Sequence, residues 1–310
     1  MGYQLNIVEV TGSTNDDLLK AGKVGAPHGY GLAARRQTAG RGRRGHKWDS
    51  TEGNLLLSII LRPDVAPEDY SGLAAVCGLA VIEELESLGL ADEVRLKWPN
   101  DLYARGKKLG GILIEAARDA DGSQFAVAGI GINVAYTPAE VPDGGLPAVS
   151  LMDLNEHVPS VDDLLRAIHG GVVEQCDAWA RGLKKHRNGR GPLFPVIDEY
   201  LGHLAWLERE VVALSPEGTE LMHGTFKTVD NWGQAVLATS GGLRSFPFEL
   251  ASLRRVELVK RTSCPFTTQS SLLFVPFFEA KTPGNGPIRR ELYYKEEPRY
   301  LGGSGVPMSC

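Results

Sequence analysis

The feature that most constrains this chain is a run of glycines and cations held between two apolar segments. Residues 34–48 read A-R-R-Q-T-A-G-R-G-R-R-G-H-K-W, and a strand-like apolar segment follows at 55–61. The glycines let a backbone approach a ligand closely, the cations can meet an anion, and Trp48 adds a flat apolar face. Because a strand follows this run, we expect a loop fixed between core elements rather than a terminal arm.

Three interpretations of this loop are open from its composition. The first is a solvated basic turn, which is what most short charged runs are. The second is a nucleic-acid contact in which arginines meet phosphates and Trp48 stacks on a base. The third is a mobile lid that closes over a small molecule carrying phosphate. The rest of the chain must decide between them.

The overall composition argues against a general affinity for nucleic acid. The chain has 310 residues, 43% hydrophobic and 23% charged, which is ordinary for a globular protein and long enough for two domains. Its formal net charge is −5, so no global basic field attracts polyanions. The positive charge is local, and this weakens the second interpretation of the loop.

The cysteines and the apolar segments bear on the cell compartment. The four cysteines lie far apart, without a C-x-x-C pair, which argues against a zinc site or a disulfide framework. The N-terminus leads directly into an alternating strand at 5–10, without the apolar core of a signal peptide. No uninterrupted apolar stretch is long enough to span a bilayer. We therefore expect a cytoplasmic protein with reduced thiols and no membrane association.

The patterning predicts three regions: a mixed α/β region over 1–206, a small antiparallel barrel over 207–259, and a tail over 260–310 without an assigned fold. The tail ends in a linker-like G-G-S-G and is a candidate for disorder. In the first region, the predicted strands are 5–10, 29–37, 55–61, 94–97, 108–115 and 125–134, and the predicted helices are 67–88, 150–154, 161–179 and 194–204. In the second region, the predicted strands are 210–214, 220–227, 234–238 and 244–249.

Polar motifs stand at the ends of several predicted strands. S-T-N at 13–15 fits a helix N-cap, or an N-cap whose hydroxyls also receive polar ligand groups. In K-W-P-N-D-L at 97–102, the Trp-Pro corner determines where the ammonium of Lys97 points. Glycine pairs at 110–111 and at Gly129 and Gly131 mark close backbone approach within strands. They do not form the strand–GxGxxG–helix arrangement of a dinucleotide fold.

Four stretches in order resemble the biotin protein ligases over roughly residues 5–258. They are S-T-N at 13–15, Q-T-A-G-R-G-R-R-G at 37–45, K-W-P-N-D-L at 97–102, and K-L-G-G-I-L-I-E to G-I-G-I-N at 108–133. The resemblance implies an α+β fold. It consists of a class II synthetase-like catalytic domain with a mixed, largely antiparallel sheet, followed by an SH3-like C-terminal barrel.

The resemblance also implies a two-step activity. Biotin is activated by ATP as biotinyl-5′-AMP and is then transferred to a lysine of a biotin carboxyl carrier protein. Family members that also repress transcription carry an N-terminal helix-turn-helix domain. Here the first catalytic strand begins at about Gln4, so we expect a monofunctional enzyme that does not bind DNA. The family includes monomers and homodimers, and the sequence leaves that choice open.

The chemistry explains why cations are needed at such a site. Both reactants of the first step are anionic, and positive groups lower their repulsion. We assign catalytic roles to Lys97, as the charge between carboxylate and α-phosphate, and to Arg43, as a bidentate ligand of phosphate oxygens.

The resemblance assigns the remaining site residues. The predicted biotin contacts are Ser13, Thr14, Asn15, Gln37, Gly40, Arg41, Arg43, Lys97 and Gly111. The predicted ATP or adenylate contacts are Arg41, Arg43, Arg44, Trp48, Asn100, Gly131, Ile132 and Asn133. Mg²⁺ is implied by the ATP chemistry. Asp101 is a candidate for a water-mediated contact with it, and a turn cap is the alternative role of that residue.

Three alternatives remain. Lipoate–protein ligase shares the fold and the adenylation chemistry, although G-R-G-R-R-G together with K-W-P-N-D favours biotin. A non-catalytic nucleic-acid binder would use the arginine loop and the barrel, against the negative net charge. A degenerate ligase would bind biotin without turnover, but the motif residues are intact.

Overall fold

Apolar strands in the first half of the chain form a seven-stranded mixed sheet in the order β1-β2-β3-β7-β6-β5-β4. The computed structural model describes residues 3–138, 145–186 and 189–256. The strands are β1 (Leu5–Thr11), β2 (Gly31–Gln37), β3 (Leu55–Leu61), β4 (Arg95–Lys97), β5 (Asp101–Ala104), β6 (Lys107–Arg118) and β7 (Gln124–Ile132). β1 and β2 pair in parallel, and the other neighbouring strands pair antiparallel.

The two faces of this sheet are covered differently. β3 is buried along its whole length, as expected for a continuous apolar run at the centre of a sheet. Its Leu57 and Ile59 belong to the main core, together with α2 (Leu73–Ser87) and α4 (Val161–His186). On the opposite face Ile60 packs with Leu18 of α1 (Thr14–Lys23). We call this second side the α1 face.

The helices follow the sequence signals, with changes in their bounds. α4 continues to His186, seven residues past the predicted end at 179, and the helix predicted over 194–204 spans Ile197–His203. Ser13 caps α1 by accepting a hydrogen bond from the backbone N–H of Asp16, as its position before an apolar run predicts. The helix predicted over 67–88 begins instead as a 3₁₀ turn, Pro67–Gly72, and becomes α-helical at Leu73. The two short helices are α3 (Leu151–Leu154) and α5 (Ile197–His203).

A second, antiparallel sheet of five strands follows in the order β11-β10-β9-β8-β12. Its strands are β8 (Glu210–Leu214), β9 (Glu220–Val229), β10 (Ala235–Thr239), β11 (Gly242–Phe246) and β12 (Ser252–Arg255). The sequence patterning missed β12 and extended the fourth strand to 249. β11 ends directly before Pro247, which has no N–H to donate to a ladder.

The mixed α+β class with a mixed sheet is confirmed. The SH3-like character of the second sheet and the boundaries at 206/207 and 259/260 stay predictions, and the tail at 260–310 lies outside the described residues.

Direct contacts join the two sheets. The indole N–H of Trp98, just after β4, donates to the carbonyl of Gly233 between β9 and β10, at 2.9 Å. Residues of both sheets also belong to one apolar core, which includes Phe226 and Leu237 of the second sheet. Within the described ranges, no helix has the length and apolar character needed to cross a membrane.

Candidate active site

Residues 40–48, which we call the basic hairpin, form an ordered turn on the α1 face of the sheet. Arg41 and Lys47 pair as an antiparallel bridge, and the N–H of Trp48 donates to the carbonyl of Gly40 at 3.0 Å. The tip is a 3₁₀ turn in which Arg44 (φ 56°) and Gly45 (φ 74°) adopt left-handed backbone, where glycine carries the lower cost. This order argues against a freely solvated turn.

The tip of the basic hairpin contacts the second sheet. Arg43 donates to Oδ1 of Asn100 at 3.0 Å and to the carbonyl of Phe248 at 2.6 Å. Arg44 donates to the carbonyls of Phe248, Glu249 and Ala251 at 3.1–3.3 Å. Burial, followed by the nearby charge of Arg44, lowers the pKa of Arg43. The predicted phosphate ligands are thus held by neutral carbonyl acceptors, which an anion can outcompete.

Trp48 lies over Gly111 of β6 and Gly131 of β7, which we call the glycine platform. A Cβ atom added to Gly131 would lie 2.6 Å from the indole Cε2, and one added to Gly111 would lie 3.6 Å from Cζ3. Glycine at 131 is therefore what permits this packing. The buried indole Nε1 has no hydrogen-bond acceptor among the described residues. A buried donor of this kind fits a ligand that supplies the acceptor.

One carboxylate holds two ammonium groups beside this platform. Asp101 accepts from Nζ of Lys97 at 2.9 Å and pairs with Nζ of Lys108 at 2.7 Å. The Lys97 side chain is 2% exposed and lies 5.3 Å from the centroid of Trp206, whereas the Lys108 side chain is 34% exposed and lies 5.5 Å from the centroid of Trp48. Lys108 is thus the lysine of this pair that faces the basic hairpin.

Burial and charge shift the pKa values of this cluster in defined directions. Burial lowers the pKa of Lys97 to about 8, with Asp101 opposing the shift. Burial disfavours the ionised form of Asp101, yet the charges of Lys108 and Lys97 hold its pKa below the usual range. At neutral pH the cluster carries two ammonium groups and one carboxylate, and is therefore net positive.

Lys108 was missed in the residue-by-residue assignment, although it is the first residue of the quoted K-L-G-G-I-L-I-E motif. The pattern placed it at the start of a strand, and its proximity to Trp48 depends on how the distant hairpin folds. Its position before two glycines, which allow close approach of a ligand, is the signal that could have singled it out.

The S-T-N motif, Gln37 and Ser58 form a hydrogen-bonded cluster of polar side chains at the start of α1, all of them buried except the half-buried Gln37. Oε1 of Gln37 accepts from the backbone N–H of Thr14 at 2.7 Å and from its hydroxyl at 3.1 Å. Ser58 of β3 donates to Oδ1 of Asn15 at 2.5 Å and lies 2.7 Å from the Thr14 hydroxyl. The amide of Gln37 donates to Ser50, whose side chain lies where a Cβ of Gly40 would be. We call Ser13, Thr14, Asn15, Gln37 and Ser58 the polar pocket.

Asn100 and Asn133 are each fixed by backbone contacts. Nδ2 of Asn100 donates to the carbonyl of Ile112 at 2.6 Å, and Nδ2 of Asn133 donates to the carbonyl of Val149 at 3.2 Å. The side chain of Ile132 is fully buried in the main core. Of Ile132, therefore, only the backbone is available to a ligand.

Arg41 is paired with carboxylates. Its two terminal nitrogens donate to Glu115 of β6 at 3.0 and 2.9 Å, and one of them also contacts Asp16 of α1 at 2.5 Å. The hydrogen bonds to Glu115 are the largest cause of its raised pKa. Neither Ser58 nor Glu115 was among the predicted site residues.

The described residues do not supply a metal cage. No group of three His, Cys, Asp or Glu side chains in these ranges could hold a metal ion, and both oxygens of Asp101 are engaged by lysines. A Mg²⁺ ion brought by a nucleotide would find its main ligands on the phosphates. The donor set does not fit a resident metal.

Comparisons with known proteins identify the relatives of this chain. A sequence model of the biotin/lipoate A/B protein ligase family matches residues 7–133. A biotin–acetyl-CoA-carboxylase ligase of Mycobacterium tuberculosis is 41% identical over 185 residues, covering 56% of this chain and 66% of the relative. The protein of the same name from Paracoccus denitrificans is 30% identical over 240 residues, covering 76% of this chain and 95% of the relative.

One solved structure and one longer relative complete the comparison. The biotin protein ligase of Aquifex aeolicus in complex with biotin and ATP superimposes with a TM-score of 0.66 at 28% identity, covering 81% of this chain and 99% of that one. The bifunctional ligase/repressor of Escherichia coli is 43% identical over 142 residues. This chain spans 43% of that protein's length and about two thirds of the Mycobacterium tuberculosis protein.

Proposed function

The chain belongs to the biotin/lipoate A/B protein ligase family, and from this we propose that it is an ATP-dependent biotin–protein ligase. It joins biotin to the adenylyl group of ATP and releases pyrophosphate. It then transfers the biotinyl group to a lysine of the biotin carboxyl carrier domain of acetyl-CoA carboxylase.

The observation that carries this proposal is the convergence of three parts on the α1 face. The polar pocket lies at one end, and Asp101 with its two lysine partners, Lys97 and Lys108, lies at the other. The basic hairpin covers the glycine platform between them. A ligand with a polar ring, a carboxylate and an activated phosphate matches that order of groups.

We assign the polar pocket to the ring system of biotin. Thr14, Asn15 and Gln37 offer hydroxyl and amide groups that can both donate and accept, as a cyclic urea requires. Ser13 caps the same helix, and Gly40 and Gly111 let the ligand approach backbone closely. The mutual hydrogen bonds of Thr14 and Gln37 support this assignment because they hold the groups in one orientation.

In the first step a biotin carboxylate oxygen attacks the α-phosphorus of ATP. A new C–O–P linkage forms, the bond from the α-phosphorus to the bridging oxygen breaks, and pyrophosphate leaves. The cations Lys97, Lys108, Arg43, Arg41 and Arg44 lower the repulsion between the two anionic reactants. We assign Lys108 direct contact with the reacting oxygens, because its ammonium is the accessible one. Lys97 keeps Asp101 charged and in place, so that Asp101 in turn orients Lys108.

On the nucleotide side we assign the adenine and ribose to the surface around Trp48. We assign Asn133 and the backbone at Gly131 and Ile132 to the same nucleotide surface, because Gly131 packs directly under the indole of Trp48. The buried Nε1 of Trp48 has no acceptor among the described residues and is available to a nucleotide acceptor. Asn100 holds Arg43 toward the phosphates. Mg²⁺ would neutralise charge on the phosphates. A water-mediated contact between Asp101 and this ion stays a proposal, and the pairing of Asp101 with two lysines disfavours it.

In the second step the neutral amine of the acceptor lysine attacks the acyl carbon of the mixed anhydride, and AMP leaves. The intermediate is prone to hydrolysis, so exclusion of water by the basic hairpin preserves it for the acceptor. A monomeric or homodimeric state, a cytoplasmic location and the lack of a DNA-binding role are further proposals.

The test is transfer to a carrier. The protein is incubated with ATP, a biotin carboxyl carrier domain and either biotin or lipoate, and the carrier is weighed by intact mass spectrometry. We expect one biotinyl addition, which is lost when the acceptor lysine is changed to arginine. Lipoyl addition would make the chain a lipoate ligase, and a carrier unmodified by either acid would contradict the proposed function.

A further inference from the structure

Glu115 on β6 joins two parts of the site that are distant in sequence. Its side chain is 25% exposed and accepts hydrogen bonds from both terminal nitrogens of Arg41, at the base of the basic hairpin. Its Oε2 also accepts from Nδ2 of Asn15, in the polar pocket, at 2.8 Å. One carboxylate therefore contacts the hairpin and the pocket together.

We propose that Glu115 is a positioning residue that couples occupancy of the polar pocket to closure of the basic hairpin. This inference rests on the proposed function and deepens it. It assigns Glu115 no contact with the reacting atoms: the residue acts through Asn15 on one side and Arg41 on the other.

The contacts make such coupling physically direct. Two parallel N–H···O bonds between guanidinium and carboxylate are geometrically specific, so the Arg41 position depends on the orientation of Glu115. That orientation depends on Asn15, which is held in turn by Ser58 at 2.5 Å. A ligand that engages Asn15 or Thr14 fixes this chain of bonds, and an ordered hairpin fixes it from the other end.

The base of the hairpin has a second tie to the same helix. Arg41 also contacts Asp16, the residue after Asn15, at 2.5 Å. Movement of the first turn of α1 therefore changes both partners of Arg41 together. By thermodynamic linkage, a hairpin that closes more readily when biotin is bound must also raise the affinity for biotin.

The experiment uses trypsin, because Arg41, Arg43, Arg44 and Lys47 place cleavage sites within the hairpin. The rate of hairpin cleavage is measured with and without saturating biotin in the full chain. We expect biotin to slow cleavage in the wild type. Glu115→Gln keeps an acceptor for the Asn15 amide but loses the carboxylate that accepts both hydrogen bonds from Arg41. In this variant the ratio of the cleavage rate without biotin to the rate with biotin is expected to fall by about fivefold, as for loss of an ion pair worth about 1 kcal/mol.

A matched control is available in Glu93→Gln. Glu93 forms a similar two-pronged pair with the exposed Arg105, away from the hairpin, and its loss is expected to leave protection by biotin unchanged. Arg41→Gln removes the same bond from its other side and must reproduce the defect. Because Arg41→Gln also removes the contact with Asp16, the double variant must be no worse than Arg41→Gln alone. If Glu115→Gln fails to fold, Arg41→Gln still tests the proposal.

The outcomes separate this inference from the proposed function. Biotin binding without protection in Glu115→Gln, measured calorimetrically, supports the coupling role. Full protection in that variant overturns it, as does a wild type that binds biotin without any protection. Loss of biotin binding in Glu115→Gln also overturns it, because Glu115 would then belong to the binding site itself. A wild type that neither binds biotin nor releases pyrophosphate with it contradicts the proposed function instead.

Discussion

At the scale of single residues, Asp101 organises the cations of the site. It pairs with the buried Lys97 and the more accessible Lys108, and the two positions have different energetics. A buried ammonium without its carboxylate is costly, so Lys97 and Asp101 each require the other. Lys108 lies close enough to solvent to exchange its partner for a phosphate oxygen.

Substitution of the two lysines is expected to separate catalysis from stability. Lys108→Ala should lower the rate of adenylate formation by about 100- to 1,000-fold. It should cost no more than about 1 kcal/mol of stability, because Lys108 is partly exposed and Asp101 keeps Lys97 as a partner. Lys97→Ala should also lower that rate by orders of magnitude, and by breaking a buried pair should cost about 3 kcal/mol of stability. Single-turnover kinetics and urea denaturation measure both effects. Wild-type activity in Lys97→Ala would remove its assigned role.

The pH dependence follows from the pKa of Lys97, which burial lowers to about 8. Above this pH the lysine loses its charge, and we expect adenylate formation to fall as pH rises from about 7 to about 10. Between about pH 8 and about pH 10 the amine of Lys97 is protonated in the unfolded chain and largely neutral in the folded protein. The contribution of Lys97 to the free energy of unfolding therefore rises with pH in that window. A rate profile that stays flat across it would contradict the requirement for a charged Lys97.

Which residues the sequence could predict depends on how local their roles are. Ser13 is an N-cap whose partner, Asp16, lies three residues away, and such signals are readable from sequence. Glu115 and Ser58 act through side chains more than 40 residues away, so no local pattern points to them. Ser58 stands out only as the one polar residue in the apolar strand L-L-L-S-I-I-L.

At the scale of elements, the basic hairpin is fixed at three places. Arg41 holds its base to β6 and α1, Trp48 packs on the glycines of β6 and β7, and Arg43 and Arg44 tie its tip to the second sheet. Residues 41–48 are half-buried or exposed, and the acceptors at the tip are neutral carbonyls. Such an element can open and close at modest cost.

Loss of the tip contacts is expected to release the reactive intermediate. Arg43→Gly removes the hydrogen bonds to Asn100 and Phe248, so biotinyl-5′-AMP should escape and label nearby lysines of other proteins. The measurement is biotinylation of a bystander protein that has no carrier domain. The control is Arg118→Gly, at the end of β6 opposite to Lys108. This variant should not label the bystander protein. If Arg43→Gly retained the intermediate as well as the wild type does, the covering role of the hairpin would be contradicted.

The glycine platform offers a steric test of the same element. Gly131→Ala would place a Cβ 2.6 Å from the Trp48 ring and should displace the indole, raising the KM for ATP by about tenfold or more, or about 1.4 kcal/mol. Gly170→Ala in α4 meets only open space and should leave that KM unchanged. An unchanged KM in Gly131→Ala would mean that Trp48 does not border the nucleotide.

The elements themselves were predictable where periodicity is strong. β3 and α4 follow clear apolar patterns, whereas β12 is a four-residue strand, S-L-R-R, with one fully buried side chain. Its pairing with β8, some 40 positions earlier in the chain, decides its structure, and no short-range signal carries that pairing.

At the scale of the whole molecule, the two sheets share one core and jointly hold the site. Trp98 donates across to Gly233, directly beside the K-W-P-N-D segment, while the carbonyls of 248–251 receive the hairpin tip. The second sheet is therefore not an independent appendage. It contributes backbone acceptors that position the arginines of the first.

Carboxylate activation at this site is measured as pyrophosphate release from ATP, with biotin or lipoate as the added acid and no carrier present. We predict stoichiometric release with biotin, slowed about 100- to 1,000-fold in Lys108→Ala, and none above background with lipoate. Release with lipoate alone would keep the adenylation chemistry and contradict the assigned substrate. Release with neither acid would contradict the assignment of this site to carboxylate activation.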